Sequence, residues 1–348
     1  MKKMILMTVF ALLLVVCSFK VWANEDISSV RAVTYSPNGN NFAVAANYNP
    51  YEVYWVASDI SIYDSETFIK LAVMDAFWQN IGENIFSVAY SPDGQRIASC
   101  SSIGRVHIFN AVNGQLTLEL EKQETPIVSV TFSPDSNTLV TGSADNVVKF
   151  WNATNGRLIR TINSAIAGQL QSLSYSPDGN MLAIGFGYGP LVGGVQVYNA
   201  RNGEFIYMPE MNERREWDDR GIYSVEFSKD GSILAAGSAW GRVYLWEART
   251  GTYLREWTCG SFSISLDLGV MMGASDVNGI ISIAFSPDDQ IIVSGSINGM
   301  IEVRNTSDGS RIGYTGEENN IVYSITYKPD GNYIISGTSK GWEPIRIR

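Results

Sequence analysis

Residues 127–151 read IVSVTFSPDSNTLVTGSADNVVKFW. Apolar and polar residues alternate over Ile127–Ser133, which turns one face of an extended strand inward. Pro134 then fixes φ for a tight turn, and Asp135 can bond its own backbone there. Thr138 to Ser143 reads as a second strand and Val147 to Trp151 as a third. Asn152-Ala153-Thr154-Asn155-Gly156 is another turn, with Gly156 free to take positive φ, and Leu158 to Ile162 is a fourth strand. The segment predicts four antiparallel strands joined by short turns.

The same unit returns seven times along the chain, the signature of a repeat architecture. The copies are VRAVTYSPNG from Val30, FSVAYSPDG from Phe86, VSVTFSPDS from Val128, QSLSYSPDG from Gln171, YSVEFSKDG from Tyr223, ISIAFSPDD from Ile281 and YSITYKPDG from Tyr323. Their third turn positions, from Asn38 to Asp330, are separated by 55, 42, 43, 52, 58 and 42 residues. A base period near 42 with three longer intervals describes a repeat that carries loop insertions. The second strand ends on a small residue in every copy: Ala45, Cys100, Gly142, Gly185, Gly237, Gly295 and Gly337. Small side chains there allow neighbouring units to approach closely, which gives Cys100 a packing role.

These motifs resemble the WD40-repeat family in its divergent bacterial form, over essentially all of residues 30–348. The resemblance implies a closed ring, a seven-bladed β-propeller of four-stranded antiparallel blades, with repeats near 30–74, 85–121, 127–163, 170–208, 222–258, 280–316 and 321–348. The family's Gly-His pair is missing, since the one histidine, His107, lies mid-strand. Asp145 sits at the position of the family's structural Asp, but most copies lack it. By the spacing of the other blades, the fourth strand of the last one falls near Ser18 to Ala23.

The first 23 residues read as a targeting segment: Lys2 and Lys3, then an apolar run from Met4 to Val16 interrupted only by Thr8. That run is shorter than the roughly 17–25 residues a spanning helix needs. Cleavage is expected after Ala23, leaving the propeller at 24–348 without a stable membrane span and placing it in the periplasm or outside the cell. The alternatives are an uncleaved anchor and lipid attachment at Cys17. Net charge is −10, and removing the segment deletes Lys2, Lys3 and Lys20 and no acid, leaving −13. Such a balance argues against nucleic acid and anionic lipid surfaces.

In a four-stranded meander, the connections between strands two and three share one end with those between strand four and the next blade. Every insertion falls there: Ala46–Asp59, Asp75–Asn84, Phe186–Gly194, Pro209–Gly221, Cys259–Gly279 and Ser339–Pro344. Per-repeat insertions on one face mark it as a binding face. It is rich in aromatics, which are favoured interface anchors. Tyr51, Tyr54, Trp55, Trp78, Tyr188, Trp217, Trp240 and Trp342 are the candidate partner-binding residues.

Chemistry finds little support. Zinc needs clustered His and Cys, and Cys100 and Cys259 form no such pattern. Gly185-Phe186-Gly187-Tyr188-Gly189 superficially resembles a phosphate loop, but a strand follows it where a helix start is required. No catalytic residue, metal or cofactor is assigned. The expected function is an exported scaffold for protein partners. The alternative is a propeller enzyme or a small-ligand receptor for sugars, using the central channel mouth.

Overall fold

The computed structural model describes residues 27–48, 57–74, 83–164, 168–188, 192–209, 221–260 and 278–347. Within them lie 27 strands in seven sheets. Blade one holds Ile27–Tyr35, Asn41–Tyr48, Ala57–Asp64 and Lys70–Met74 (β1–β4). Blade two holds Ile85–Tyr90, Arg96–Ser101, Val106–Asn110 and Leu116–Glu119 (β5–β8). Blade three holds Ile127–Phe132, Thr138–Ser143, Val147–Asn152 and Leu158–Asn163 (β9–β12). Blade four holds Gln169–Tyr175, Met181–Tyr188, Val192–Asn199 and Phe205–Tyr207 (β13–β16). Blade five holds Ile222–Phe227, Ile233–Ser238, Arg242–Glu247 and Tyr253–Thr258 (β17–β20). Blade six holds Ile280–Phe285, Ile291–Ser296, Met300–Asn305 and Arg311–Gly316 (β21–β24). Blade seven holds Val322–Tyr327, Tyr333–Thr338 and Gly341–Arg346 (β25–β27). Every sheet is an antiparallel meander, so the expected seven-bladed propeller is the fold.

The first strands lie innermost and touch in sequence around a closed ring, from β1 to β5 and onward to β25 and back to β1. Serine hydroxyls on them latch neighbouring blades. The amides of Leu173, Val225, Ile325 and Val33 donate to Ser129 (3.2 Å), Ser172 (3.2 Å), Ser282 (2.8 Å) and Ser324 (3.2 Å) of the preceding blade. The last of these crosses the seam between blades seven and one. Each core cluster is shared between neighbours: Val140, Val148 and Phe150 of blade three pack with Leu170, Leu173, Leu182 and Ile184 of blade four. Burying side chains of this kind stabilises by about 1.5–3 kcal/mol each.

The small residue closing each second strand faces the next blade, as the repeat implies. A Cβ on Gly237 would lie 2.6 Å from Ile280 Cγ2, and one on Gly295 2.5 Å from Val322 Cγ1. Cys100, buried in the core shared by blades two and three, occupies the same position.

The Ser-Pro-Asp-Gly turns build the opposite face. The serine hydroxyl donates to the Asp carboxylate, at 2.5 Å in Ser133–Asp135 and 2.7 Å in Ser228–Asp230. It also accepts an amide five residues on, Thr138 and Ile233 at 2.9 Å each. The turn glycine takes positive φ and approaches the proline of the preceding blade, as with Gly39 against Pro329 and Gly231 against Pro177, each 3.3 Å from a Cβ position to Cδ. Two turns carry a side chain there instead. Ser136 (φ 62°) accepts the amide of Asp93 at 3.0 Å. Asp289 (φ 56°) accepts those of Lys229 and Asp230 at 2.7 and 2.8 Å. Lys229 stands where other turns have proline, so it has an N–H to give.

Two readings of the loops need correction. Ser339–Pro344 is not an insertion: β26 and β27 join through Ser339-Lys340, and Trp342 lies within β27, paired with Gly337. Much of Ala46–Asp59 and Phe186–Gly194 is ladder, because β2, β3, β14 and β15 each run eight residues. Three described strands form blade seven. The segment Ser18 to Ala23 nominated for its fourth strand lies outside the described residues, as does the leader 1–23.

Candidate functional site: the insertion-side mouth of the channel

Each innermost strand breaks its ladder near the end where the long connections leave, and β1 breaks a second time between Ile27 and Ser29. The register slips between Val30 and Ala32, Ile85 and Ser87, Leu170 and Ser172, Ile222 and Ser224, Ile280 and Ser282, and Val322 and Ser324, with the matching slip in blade three at Val128. The bulged residues are Arg31, Phe86, Val128, Gln171, Tyr223, Ile281 and Tyr323. A bulge frees one side chain from the pleat and re-aims it. All seven are partly exposed, while the residue before each, from Val30 to Val322, is buried to within 1 % of completely. The outcome is a rim of seven side chains, one per blade, on the innermost strands.

Contacts within the rim place it. The Arg31 guanidinium lies 4.0 Å from the centroid of the Tyr323 ring, across the seam between blades one and seven. Gln171 Nε2 donates to the Gly187 carbonyl at 3.0 Å. The Tyr223 ring passes between Gly187 and Gly279, its edge atoms 3.1 and 3.2 Å from where a Cβ on either would stand. Partial burial raises the Tyr223 phenol above its ordinary value, so it stays a neutral donor.

Three residues beyond the bulge the innermost strands carry Thr34, Ala89, Thr131, Ser174, Glu226, Ala284 and Thr326, of which Glu226, Ala284 and Thr326 line a cavity. The channel ends on the turn face in a cavity of about 300 Å³ lined by Tyr35, Glu226, Lys229, Phe285, Thr326 and Tyr327. There Lys229 Nζ meets Glu226 Oε1 at 2.7 Å. Burial raises the Glu226 carboxyl, and Lys229 offsets part of that rise.

The candidates from the sequence are distributed differently. Trp342 is a correction: it is 8 % exposed and packs against Phe42, Tyr63 and Phe68, with ring centroids 5.0, 4.9 and 6.2 Å away. It fills the junction of blades seven and one and offers no surface to a partner. Trp240 is partly exposed on the turn between β18 and β19, on the insertion side. The backbone of Tyr188 ends β14, paired with Val192. Tyr51, Tyr54, Trp55, Trp78 and Trp217 lie outside the described residues. The rim itself escaped sequence reading. Its trace is two large residues side by side before the strand's serine, as in Ile85-Phe86 and Ile222-Tyr223, where strict alternation predicts one.

Among the described residues the candidate reactive groups are dispersed. His107 is 2 % exposed in β7, with Nε2 3.5 Å from Glu119 Oε1, and its desolvation lowers its pKa. Cys259 is buried and its thiol is pushed up to about 12, chiefly by desolvation. Among the described residues no group of three His, Cys, Asp or Glu could hold a metal ion. The Asp59 carboxylate, within β3, is buried.

Comparison with known families follows this architecture. The family model for the WD domain, G-beta repeat, matches residues 269–305 and 310–342, that is, blades six and seven. The chain belongs to the WD40-repeat family. The family model described as eukaryotic translation initiation factor eIF2A matches residues 66–242, half of this WD40 propeller, and the chain belongs by sequence to that family too. No curated protein matches the chain. WD40 propellers commonly serve as protein-interaction scaffolds. Of the WD40 polar network, blade three retains Trp151 Nε1 donating to Thr141 Oγ1 at 3.0 Å and a hydrogen bond from Ser143 to Asp145. No helix of the described residues is long and apolar enough to cross a membrane.

Proposed function

We propose that this chain is an exported, non-enzymatic scaffold that binds protein partners on the insertion-bearing face, with the seven bulge residues as the floor of the contact. The observation that carries the reading is the bulge in every blade at that end. Seven side chains released from the ladder, three of them aromatic, surround one opening, and bulges concentrate where a strand must re-aim a side chain for a task. Export rests on Lys2, Lys3 and the apolar run to Val16.

The test is affinity capture from the compartment the leader selects, with wild type and a Phe86→Ala/Tyr223→Ala pair. Wild type is expected to retain a reproducible partner and the pair to lose it while circular dichroism shows the propeller still folded. The same capture from both proteins counts against the reading. N-terminal sequencing of the exported protein is expected to begin at Asn24.

The eIF2A match favours a second reading, attachment to the translation machinery. It predicts a chain that keeps Met1 and co-sediments with ribosomes. The acidic balance, −10 overall, weighs against direct contact with RNA.

A further inference from the structure

We propose that the insertion-side mouth selects a carboxylate-bearing protein segment, an Asp or Glu side chain flanked by apolar residues, and that the carboxylate lands on Arg31. The proposal rests on the reading of the rim as the contact surface and adds the chemistry of what it takes.

Arg31 is the only charged residue of the seven. Its place in the ring is specific: blades seven and two put Tyr323 on one side of it and Phe86 on the other. The guanidinium carbon lies over the Tyr323 ring at 4.0 Å from its centroid, a contact that restricts where the group can turn. The N–H donors run along the edges, in a fork that matches a carboxylate. Among the described residues no carboxylate or carbonyl takes them. Arg96 and Arg304 also lie over rings but pair with carboxylates, Asp93 at 3.3 Å and Glu302 at 2.7 Å, while Arg160 over Phe150 stands farther off at 5.1 Å. Arg31 is held over the Tyr323 ring, and among the described residues its hydrogen-bonding edge is uncommitted.

The surroundings define the rest of the ligand. Phe86, Val128, Ile281 and Tyr323 present apolar surface around the opening, which suits apolar neighbours of the acid. One cation on the rim of a chain of net charge −10 suits one carboxylate, and the overall charge repels a polyanion. Nucleic acid, which needs many phosphate contacts, does not fit.

The experiment pans a random peptide library displayed on phage against the immobilised full chain, with Arg31→Gln as the parallel target. Synthetic versions of the enriched peptides are then measured by fluorescence anisotropy. Wild type is expected to enrich peptides with Asp or Glu beside aromatic or aliphatic residues. Arg31→Gln should weaken them roughly tenfold or more, and Arg31→Lys less. Changing the peptide's acid to its amide should cost wild type the same factor and the Arg31→Gln protein almost nothing further. Melting temperature checks that each variant is folded. Enrichment of peptides without acids, no enrichment, or affinity unaffected by Arg31→Gln overturns the proposal. Peptides weakened by Phe86→Ala and Tyr223→Ala but not by Arg31→Gln would leave the rim as contact surface and remove the carboxylate. Peptides indifferent to all three remove both.

Discussion

At the scale of single residues, the turn aspartates show how local chemistry repeats. The Ser133 hydroxyl and the Asn137 amide hold the Asp135 carboxyl below the ordinary carboxylate range, and Ser228 and Ser232 do the same for Asp230. Their folded pKa values are therefore below the unfolded ones. Such a group stabilises the fold above its unfolded pKa, and the contribution is lost as pH falls through the folded value. The melting temperature is expected to fall progressively below about pH 4. An Asp135→Asn/Asp230→Asn chain should show a shallower fall over that range, measured by thermal denaturation against pH. Parallel curves for the two proteins would refute this account.

At the scale of elements, the second strand succeeds because it ends without bulk. Gly237→Ala would push a methyl to 2.6 Å from Ile280 Cγ2 and 2.8 Å from the Ile280 carbonyl. The expected loss is about 1–3 kcal/mol by urea unfolding, the range for overpacking. Gly313 in β24 has nothing within 4 Å of the same construction, so Gly313→Ala should be neutral or stabilising by up to about 1 kcal/mol. Equal effects at the two sites would show that blade packing is not what selects glycine.

These elements also explain what the sequence could and could not tell. Ser-Pro-Asp-Gly announces each first turn because proline, Asx bonding and positive φ are backbone properties fixed within four residues. The small residue after the second strand is legible for the same reason. Bulges are harder to see, because a residue that leaves the ladder still has a strand's composition: Val128 and Ile281 look like ordinary inward positions. Trp342 misled because a tryptophan followed by Glu343-Pro344 reads as loop, whereas the ladder with β26 continues through Gly341–Arg346. Its true role depends on Phe42 and Tyr63, some 280–300 positions away along the chain.

At the scale of the molecule, the ring must join blade seven to blade one. Val33 donates to Ser324 across the seam, Gly337 gives way to Val30, and Trp342 fills the space beside Phe42, Tyr63 and Phe68. Four large aromatics, Tyr35, Phe42, Tyr63 and Trp342, share this junction's core. Trp342→Ala is expected to destabilise the whole fold by about 3–5 kcal/mol, the range for truncating a buried aromatic. Chemical unfolding followed by circular dichroism reads it. A change within experimental error would mean that Trp342 is peripheral after all.

The seven bulges also separate two kinds of information. A residue outside the ladder can be exchanged without disturbing register, and its contacts with the core are partial, whereas its neighbour one position earlier is fully buried. The rim is in effect a seven-letter word written on a fixed page. Relatives with the same blades can spell it differently and recognise something else, and an engineer could rewrite it one letter at a time while the page stays intact.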